Sequence, residues 1–213
     1  MQEDIIRQWA ETNSITLTNA QLKTLADYQA LVLETNAHTN LTSITDPQDF
    51  AVKHFIDSMT LLPYITEAAP TLVDIGTGAG FPGLVLRIIR EDLRLTLLDS
   101  LGKRITFLRN TADKLGLSGI EFIHARAEEL GRIGVEYDIC TARAVAAMDR
   151  LIPWALPLVR PGGLFLAMKG PDVTEELEKA KPALTKYGGI VDKVDVVEIA
   201  PGLKHSIIVV VRK

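Results

Sequence analysis

The stretch Val73-Asp-Ile-Gly-Thr-Gly-Ala-Gly-Phe-Pro-Gly83 restricts what this chain can fold into more than any other part of it. An apolar run leads straight into Gly76, Gly78 and Gly80, and Pro82 suits the first turn of a helix beyond them. Glycines are needed where a backbone turns sharply and something must approach it closely. The helix start that follows offers unpaired N–H groups and the positive end of a helix dipole. Strand, glycine turn and helix in that order open a βαβ unit. They point to a parallel sheet with helices on both faces.

The remainder agrees with that frame. Apolar segments at 72–75, 94–98, 120–124, 137–141 and 164–168 read as strands, with helices near 83–91, 101–115, 146–157 and 172–186 between and after them. Two further strands, 190–199 and 205–212, are joined by Ala200-Pro-Gly-Leu203, turn chemistry between antiparallel neighbours. Residues 1–66 have a different texture and read as helical. Leu22, Leu25, Tyr28 and Val32 repeat at helical spacing after Thr18 and Asn19, which suit a helix start. A polar loop is expected from Asn36 to Asp46, then a helix over 48–62 that buries Ala51, Val52, Phe55, Ile56, Met59 and Leu62. On its other side His54, Asp57 and Ser58 share a face.

The glycine loop admits two readings. Gly78-Ala-Gly-Phe-Pro-Gly83 satisfies the dinucleotide pattern G-x-G-x-x-G, a weak signal alone. Asp74, Gly76, Gly78 and Gly80 instead spell D-x-G-x-G-x-G, which resembles the first motif of class I S-adenosylmethionine-dependent methyltransferases. Asp99 ends the next strand, 19 positions beyond Gly80. An acid at that place meets ribose hydroxyls, or caps the following helix. After the third strand comes His124-Ala-Arg-Ala-Glu-Glu129, where methyltransferases hold adenine with a backbone amide and an acid. Arg143, just past the fourth strand, and Lys169, ending the fifth, would face the same crevice, because ligands bind outside the carboxyl ends of parallel strands.

Other chemistries lack their residues. The single cysteine, Cys140, lies within a strand and reads as a small buried hydrophobe. The four histidines have no ligand spacing, so no metal is expected. Neither G-x-S-x-G nor G-x-x-x-x-G-K-[ST] occurs, nor the Asn/Asp-Pro-Pro-aromatic tetrapeptide of amino-directed nucleic-acid methyltransferases. The formal net charge of −4 excludes a wholesale basic coat. A local patch from Lys103, Arg104, Arg109, Arg143, Arg150 and Lys169 stays compatible with RNA. The first residues are acidic where a secretory signal is basic, and no apolar run approaches 18 residues. A cytoplasmic location without membrane contact is expected.

Taken together, Asn40-Leu-Thr-Ser43, His54-x-x-Asp57-Ser58, Asp74-Ile-Gly-Thr-Gly-Ala-Gly-Phe-Pro-Gly83, Asp99-Ser-Leu-Gly-Lys-Arg-Ile105, Ala125-Arg-Ala-Glu-Glu129, Ala142-Arg-Ala144 and Lys169-Gly170 resemble one family across nearly the whole chain. It is the RsmG family, also called GidB, of bacterial 16S rRNA guanine-N7 methyltransferases. Phe81 and Ala142 stand where Leu and Ser are also common in the family. The resemblance implies a Rossmann-like α/β unit over 67–213, with a seven-stranded sheet ordered 3-2-1-4-5-7-6 and strand 7 antiparallel. A helical cap over 1–66 would sit beside the cleft.

The resemblance further implies S-adenosyl-L-methionine as cofactor, S-adenosyl-L-homocysteine as product, and a 16S rRNA substrate, free or within a small ribosomal subunit or its precursor. A monomer is expected. Cofactor contacts fall on Gly76, Thr77, Gly78, Phe81, Asp99, Ala127, Glu128 and Arg143. His54, Asp57, Ser58, Lys103, Arg104 and Lys169 are candidates for substrate positioning. No catalytic base is assigned, because N7 of neutral guanine already carries an in-plane lone pair and needs only in-line placement. Two other readings stay open from residues alone: a small NAD(P)-dependent oxidoreductase, and a catalytically silent ribosome-assembly or RNA-binding module on the same fold.

Overall fold

In the computed structural model, which describes residues 2–213, seven strands build one sheet. They are β1 (Thr71–Ile75), β2 (Arg94–Asp99), β3 (Ile120–His124), β4 (Tyr137–Arg143), β5 (Val159–Lys169), β6 (Gly189–Ala200) and β7 (Leu203–Arg212). The order is β3-β2-β1-β4-β5-β7-β6, and β7 runs antiparallel to both of its neighbours, as the family resemblance implies and the Ala200–Leu203 turn requires of the β6–β7 pair. The chain winds from β1 out to β3, then returns across β1 to β4. That reversal makes a crevice between β1 and β4 at their carboxyl ends, where Ile75 pairs with Ala142. The glycine turn after Ile75 and Arg143 after Ala142 therefore open onto one place.

The central strands are buried on both faces, which is why they read as apolar runs and not as alternation. Helices α8 (Met148–Ala155) and α9 (Thr174–Tyr187), with the short α7 (Ala127–Leu130), cover one face. Helices α5 (Gly83–Ile89) and α6 (Gly102–Lys114) cover the other.

The amino-terminal helices join that second face. They are α1 (Gln2–Thr12), α2 (Asn19–Thr39), α3 (Pro47–Phe50), a π-helical turn (Ala51–Ile56) and α4 (Asp57–Met59). Tyr28, Phe50 and Phe55 share one apolar cluster with Phe81 and Leu84. A capping box starts α2: Thr18 Oγ1 accepts from the Gln21 amide and Gln21 Oε1 accepts from the Thr18 amide. Asp46 caps α3 by accepting from the Gln48 and Asp49 amides, with Pro47 at its first position.

Two local expectations are corrected. Helix α2 continues through 36–39, because Asn36 turns its carboxamide oxygen to the Leu41 and Thr42 amides and so holds the loop from inside the helix. The left-handed Asn40 then ends it, φ 49°. The expected uniform helix over 48–62 is instead α3, π-turn and α4, ending at Met59, with Val52 and Leu62 only partly buried. The π-turn leaves the Lys53 carbonyl to a tertiary partner, Arg143.

Candidate functional site

The three glycines of the turn have different jobs. Gly76, Gly78 and Gly80 all have positive φ (64°, 63° and 105°), which disfavours any side chain there. A Cβ on Gly80 would lie 2.5 Å from Tyr28 Oη and inside 3 Å of Leu84 and Leu108, so Gly80 serves packing. A Cβ on Gly76 would strike Val145 at 2.8 Å. A Cβ on Gly78 would come within 4 Å of nothing but the Gly76 carbonyl, at 3.9 Å. Gly78 faces open space. Among the described residues, nothing accepts from the Ala79 amide or donates to the Gly78 carbonyl, so the peptide between them is unpaired.

Two buried carboxylates hold this turn. Asp74 Oδ2 accepts from Thr77 Oγ1 (2.6 Å) and the Gly83 amide (3.0 Å), bracing the loop against α5, while its Oδ1 has no partner. Burial pushes the Asp74 carboxyl up to about 7. Asp99 bonds on both of its oxygens but does not cap α6, whose N-cap is Leu101 without a side-chain cap bond. Its Oδ1 accepts from the Leu101 amide at the start of α6, and its Oδ2 accepts from the Gly78 amide (3.0 Å) and Arg104 Nη1 (3.2 Å). A carboxylate has about four acceptor sites, so Asp99 keeps one for a further donor.

Asp99 also lines a cavity of about 320 Å³, at the small end of the range that ligand pockets occupy. Gly76 and Ser100 stand on its β1–β2 side, and Ala127 and Glu128 close it from the end of β3. Val145 and Trp154, with Arg150 lying 5.6 Å over the indole ring, complete it. Val145 and Trp154 carry no signal in the sequence, because they reach the cavity only through the path of the β4–α8 loop.

Arg143 ends β4 and is tied to the amino-terminal helices. Its Nη1 donates to Asp57 Oδ2 (2.7 Å) and to the Lys53 carbonyl (2.9 Å), and its Nη2 donates to His54 Nδ1 (3.1 Å). The guanidinium also lies 5.3 Å from the centre of the Phe81 ring, on which the His54 imidazole stacks at 4.3 Å. In a regular α-helix the Lys53 carbonyl would take the Asp57 amide. Here that amide turns to Val52 and His54, and Arg143 takes the freed carbonyl. Three of the five guanidinium donors are engaged, leaving two.

Protonation states follow from these partners. Arginine only donates, so His54 Nδ1 must accept; its proton therefore sits on Nε2, which donates to Thr42 Oγ1 at 2.9 Å. Burial and the Arg143 charge push this imidazole down to about 3. Burial would raise the Asp57 carboxyl, but His205, with Nδ1 2.6 Å from Oδ1, and Arg143 outweigh it and hold it below the ordinary range. Cys140 is fully buried and its thiol is pushed up by burial, which leaves no thiolate for attack.

The remaining residues singled out from sequence are dispersed. Ser58 is fully buried, and its hydroxyl donates to the His54 carbonyl one turn earlier. Lys169 is drawn inward: its Nζ donates to the Ala146 carbonyl and to Glu176 Oε1 (2.6 Å), and the same oxygen accepts from the Met148 amide (2.6 Å). Thr77 is buried beside Asp74. Lys103 is exposed on α6, next in sequence to Arg104, which bonds to Asp99.

Comparisons of sequence agree on one family. The sequence profile of rRNA small subunit methyltransferase G matches residues 21–205. A protein of Leuconostoc mesenteroides named ribosomal RNA small subunit methyltransferase G is 41% identical over 217 aligned positions, covering 99% of this chain and 90% of its own length. One of the same name from Alkaliphilus metalliredigens is 38% identical, covering 97% and 88%. Among solved structures, a SAM-dependent methyltransferase from Aquifex aeolicus superposes with a TM-score of 0.59 at 16% identity, over 81% of this chain and 97% of that one, a likeness of fold.

Proposed function

Since the chain belongs to the rRNA small subunit methyltransferase G family, we propose that it moves a methyl group from S-adenosylmethionine to N7 of a guanine in 16S rRNA. The observation that carries this reading is the unpaired Gly78–Ala79 peptide, open on its outer side and set beside Asp99. A close-approaching ligand with hydroxyl donors nearby fits that arrangement. In this reading Gly76, Thr77, Gly78 and Phe81 shape the methionine end of the site. Asp99 accepts from the ribose. Ala127 and Glu128 meet the adenine. Bound S-adenosylmethionine supplies an electrophilic methyl group on a sulfonium.

What the chain's own residues contribute is placement. N7 attacks with a lone pair it already has, so no side chain removes a proton, and positive charge develops on the purine. A neutral His54 beside Arg143 adds no second cation to a region that must tolerate that charge. Arg143 stays protonated and cannot act as a base. Its two remaining donors can hold a carboxylate, a phosphate or the guanine O6 edge. His54 and Asp57 position this arginine, and residues 1–66 form the cap from which they do so. Lys103 and Arg104 lie where phosphates of the RNA would pass, and a folded or protein-bound RNA would supply shape in place of a long basic groove.

The proposal includes a monomeric, cytoplasmic enzyme acting on 16S rRNA, alone or in a small ribosomal subunit or its precursor. No described helix is long and apolar enough to cross a membrane. The test is transfer of tritiated methyl from S-adenosylmethionine to RNA from cells lacking this enzyme, followed by nucleoside analysis. Label in 7-methylguanosine is the expected result; label elsewhere, or none, would overturn the assignment.

A further inference from the structure

The loop around Gly78 is gripped from two sides. Asp99, from β2, takes the Gly78 amide. From the opposite side Tyr28, on α2, donates its hydroxyl to the Ala79 carbonyl at 2.6 Å. Tyr28 is fully buried, with its ring 5.2 Å from Phe81 and 6.1 Å from Phe55. Between the two grips lies a peptide, Gly78 carbonyl and Ala79 amide, that is unpaired among the described residues. A peptide plane is rigid, so with the planes on either side of it held, its carbonyl and amide can change direction only by rotation about the Gly78 Cα–Ala79 Cα axis. Tyr28 also fills the space above Gly80, where any Cβ would meet its hydroxyl at 2.5 Å.

We propose that Tyr28 is a positioning residue of the cofactor site: by holding the Ala79 carbonyl it aims the unpaired Gly78–Ala79 peptide at the cofactor, so that cofactor affinity depends on an amino-terminal helix. The proposal rests on the reading of the glycine loop as the S-adenosylmethionine site. It separates two duties of the amino-terminal helices. Tyr28 on α2 governs cofactor binding, whereas the π-turn and Asp57 hold Arg143 and govern transfer.

The test compares Tyr28→Phe, which removes one oxygen from the core, with Phe55→Leu, which trims the same aromatic cluster and leaves the hydroxyl in place. Calorimetry with S-adenosylhomocysteine and steady-state kinetics at varied S-adenosylmethionine are the readouts. Tyr28→Phe should weaken S-adenosylhomocysteine about 5- to 10-fold, the scale of one buried hydrogen bond. It should raise KM for S-adenosylmethionine similarly and keep kcat within about twofold. Phe55→Leu should lower the melting temperature and leave that affinity unchanged. Wild-type affinity in Tyr28→Phe, or an equal loss in both variants, would reduce Tyr28 to packing and overturn the proposal. Absence of S-adenosylhomocysteine binding by the wild-type chain would instead remove the cofactor reading, and this proposal with it.

Discussion

Arg143 Nη1 takes the Lys53 carbonyl at 2.9 Å, the carbonyl that an uninterrupted α-helix would have given to the Asp57 amide. The wide turn of Ala51–Ile56 and the position of the arginine are thus one feature seen from two elements. With the Arg143–Asp57 pair at 2.7 Å, the crevice between β1 and β4 is joined to the helix that borders it.

Replacing Arg143 with Ala should therefore do two kinds of damage. Asp57 loses a partner in a site where both side chains are mostly buried, which costs about 3 kcal/mol of stability. Turnover should fall roughly 100-fold, the scale of a misplaced reacting group. Lysine should rescue poorly, since an ammonium cannot reach the Lys53 carbonyl, Asp57 and His54 in one plane. Single-turnover methylation at saturating RNA, below the melting temperature and with donor affinity measured separately, checks this. Near-normal turnover would leave Arg143 as a clamp on the helix alone.

That feature also marks where reading the sequence runs out. The strands were legible because Leu72–Ile75 and its neighbours are apolar runs bounded by glycine and Pro-Gly turns, and their order followed from the family resemblance of the Asp74–Gly83 motif and its companions. The π-turn was not legible, because the group that takes its freed carbonyl, Arg143, lies 90 residues away. The spacing of His54 and Asp57 puts them on one face and the end of β4 puts Arg143 at the crevice, but that the three bond to one another is visible only in the fold. Asp99 shows a different limit: helix cap and ligand acceptor look alike in sequence, and in the fold the carboxylate lines the cavity and holds the Leu101 amide ahead of α6, while no described side chain caps that helix. Tyr28 carries only the helical spacing of a core residue, so its hydroxyl's partner could be found only in three dimensions.

Gly78 and Gly80 should respond oppositely to substitution, although both belong to the same motif. Gly78→Ala meets open space and carries about 1–2 kcal/mol of left-handed strain. It should fold cooperatively, and Gly78→Val should abolish S-adenosylhomocysteine binding by filling the ligand's side of the loop. Gly80→Ala would drive a methyl into Tyr28, Leu84 and Leu108, and should lower the melting temperature much further. Calorimetry and thermal melts of the three variants decide it; an intact Gly78→Val site would show that the cofactor lies elsewhere.

Two buried groups should give stability an opposed pH dependence. His54 ordinarily titrates at 6.5 and is depressed to about 3 in the fold, so the unfolded chain binds its proton more readily. Its contribution is full above 6.5 and is lost as pH falls toward 3. Asp74 is raised from 3.8 to about 7, so its contribution is full below 3.8 and is lost as pH rises through 7. Denaturant titrations across that window should show His54→Gln flattening the acid limb and Asp74→Asn the neutral limb. Variant curves that run parallel to wild type would mean that neither group is shifted.

Lys169 distinguishes a brace from an RNA contact, and Glu176 is the means of telling them apart. Glu176 Oε1 accepts from both Lys169 Nζ and the Met148 amide, while Lys169 Nζ also holds the Ala146 carbonyl. Residues 146–148 are thus tied from both ends, just beyond Ala144, whose φ of 54° is strained for a residue with a side chain. The same loop carries Val145, which covers Gly76 and lines the cavity. If Lys169 is a brace, Lys169→Ala and Glu176→Ala should act alike. Each should cost about 1–3 kcal/mol, the scale of an orphaned polar group, and each should weaken S-adenosylhomocysteine as Val145 shifts. Glu176→Gln keeps an acceptor for the Met148 amide and should fall between them and wild type. If Lys169 instead meets a phosphate, Lys169→Ala should flatten the salt dependence of RNA binding by roughly one unit of slope, leave cofactor affinity intact, and find no counterpart in the Glu176 variants. With the ammonium bonded on two sides and nearly buried, the first pattern is the expected one.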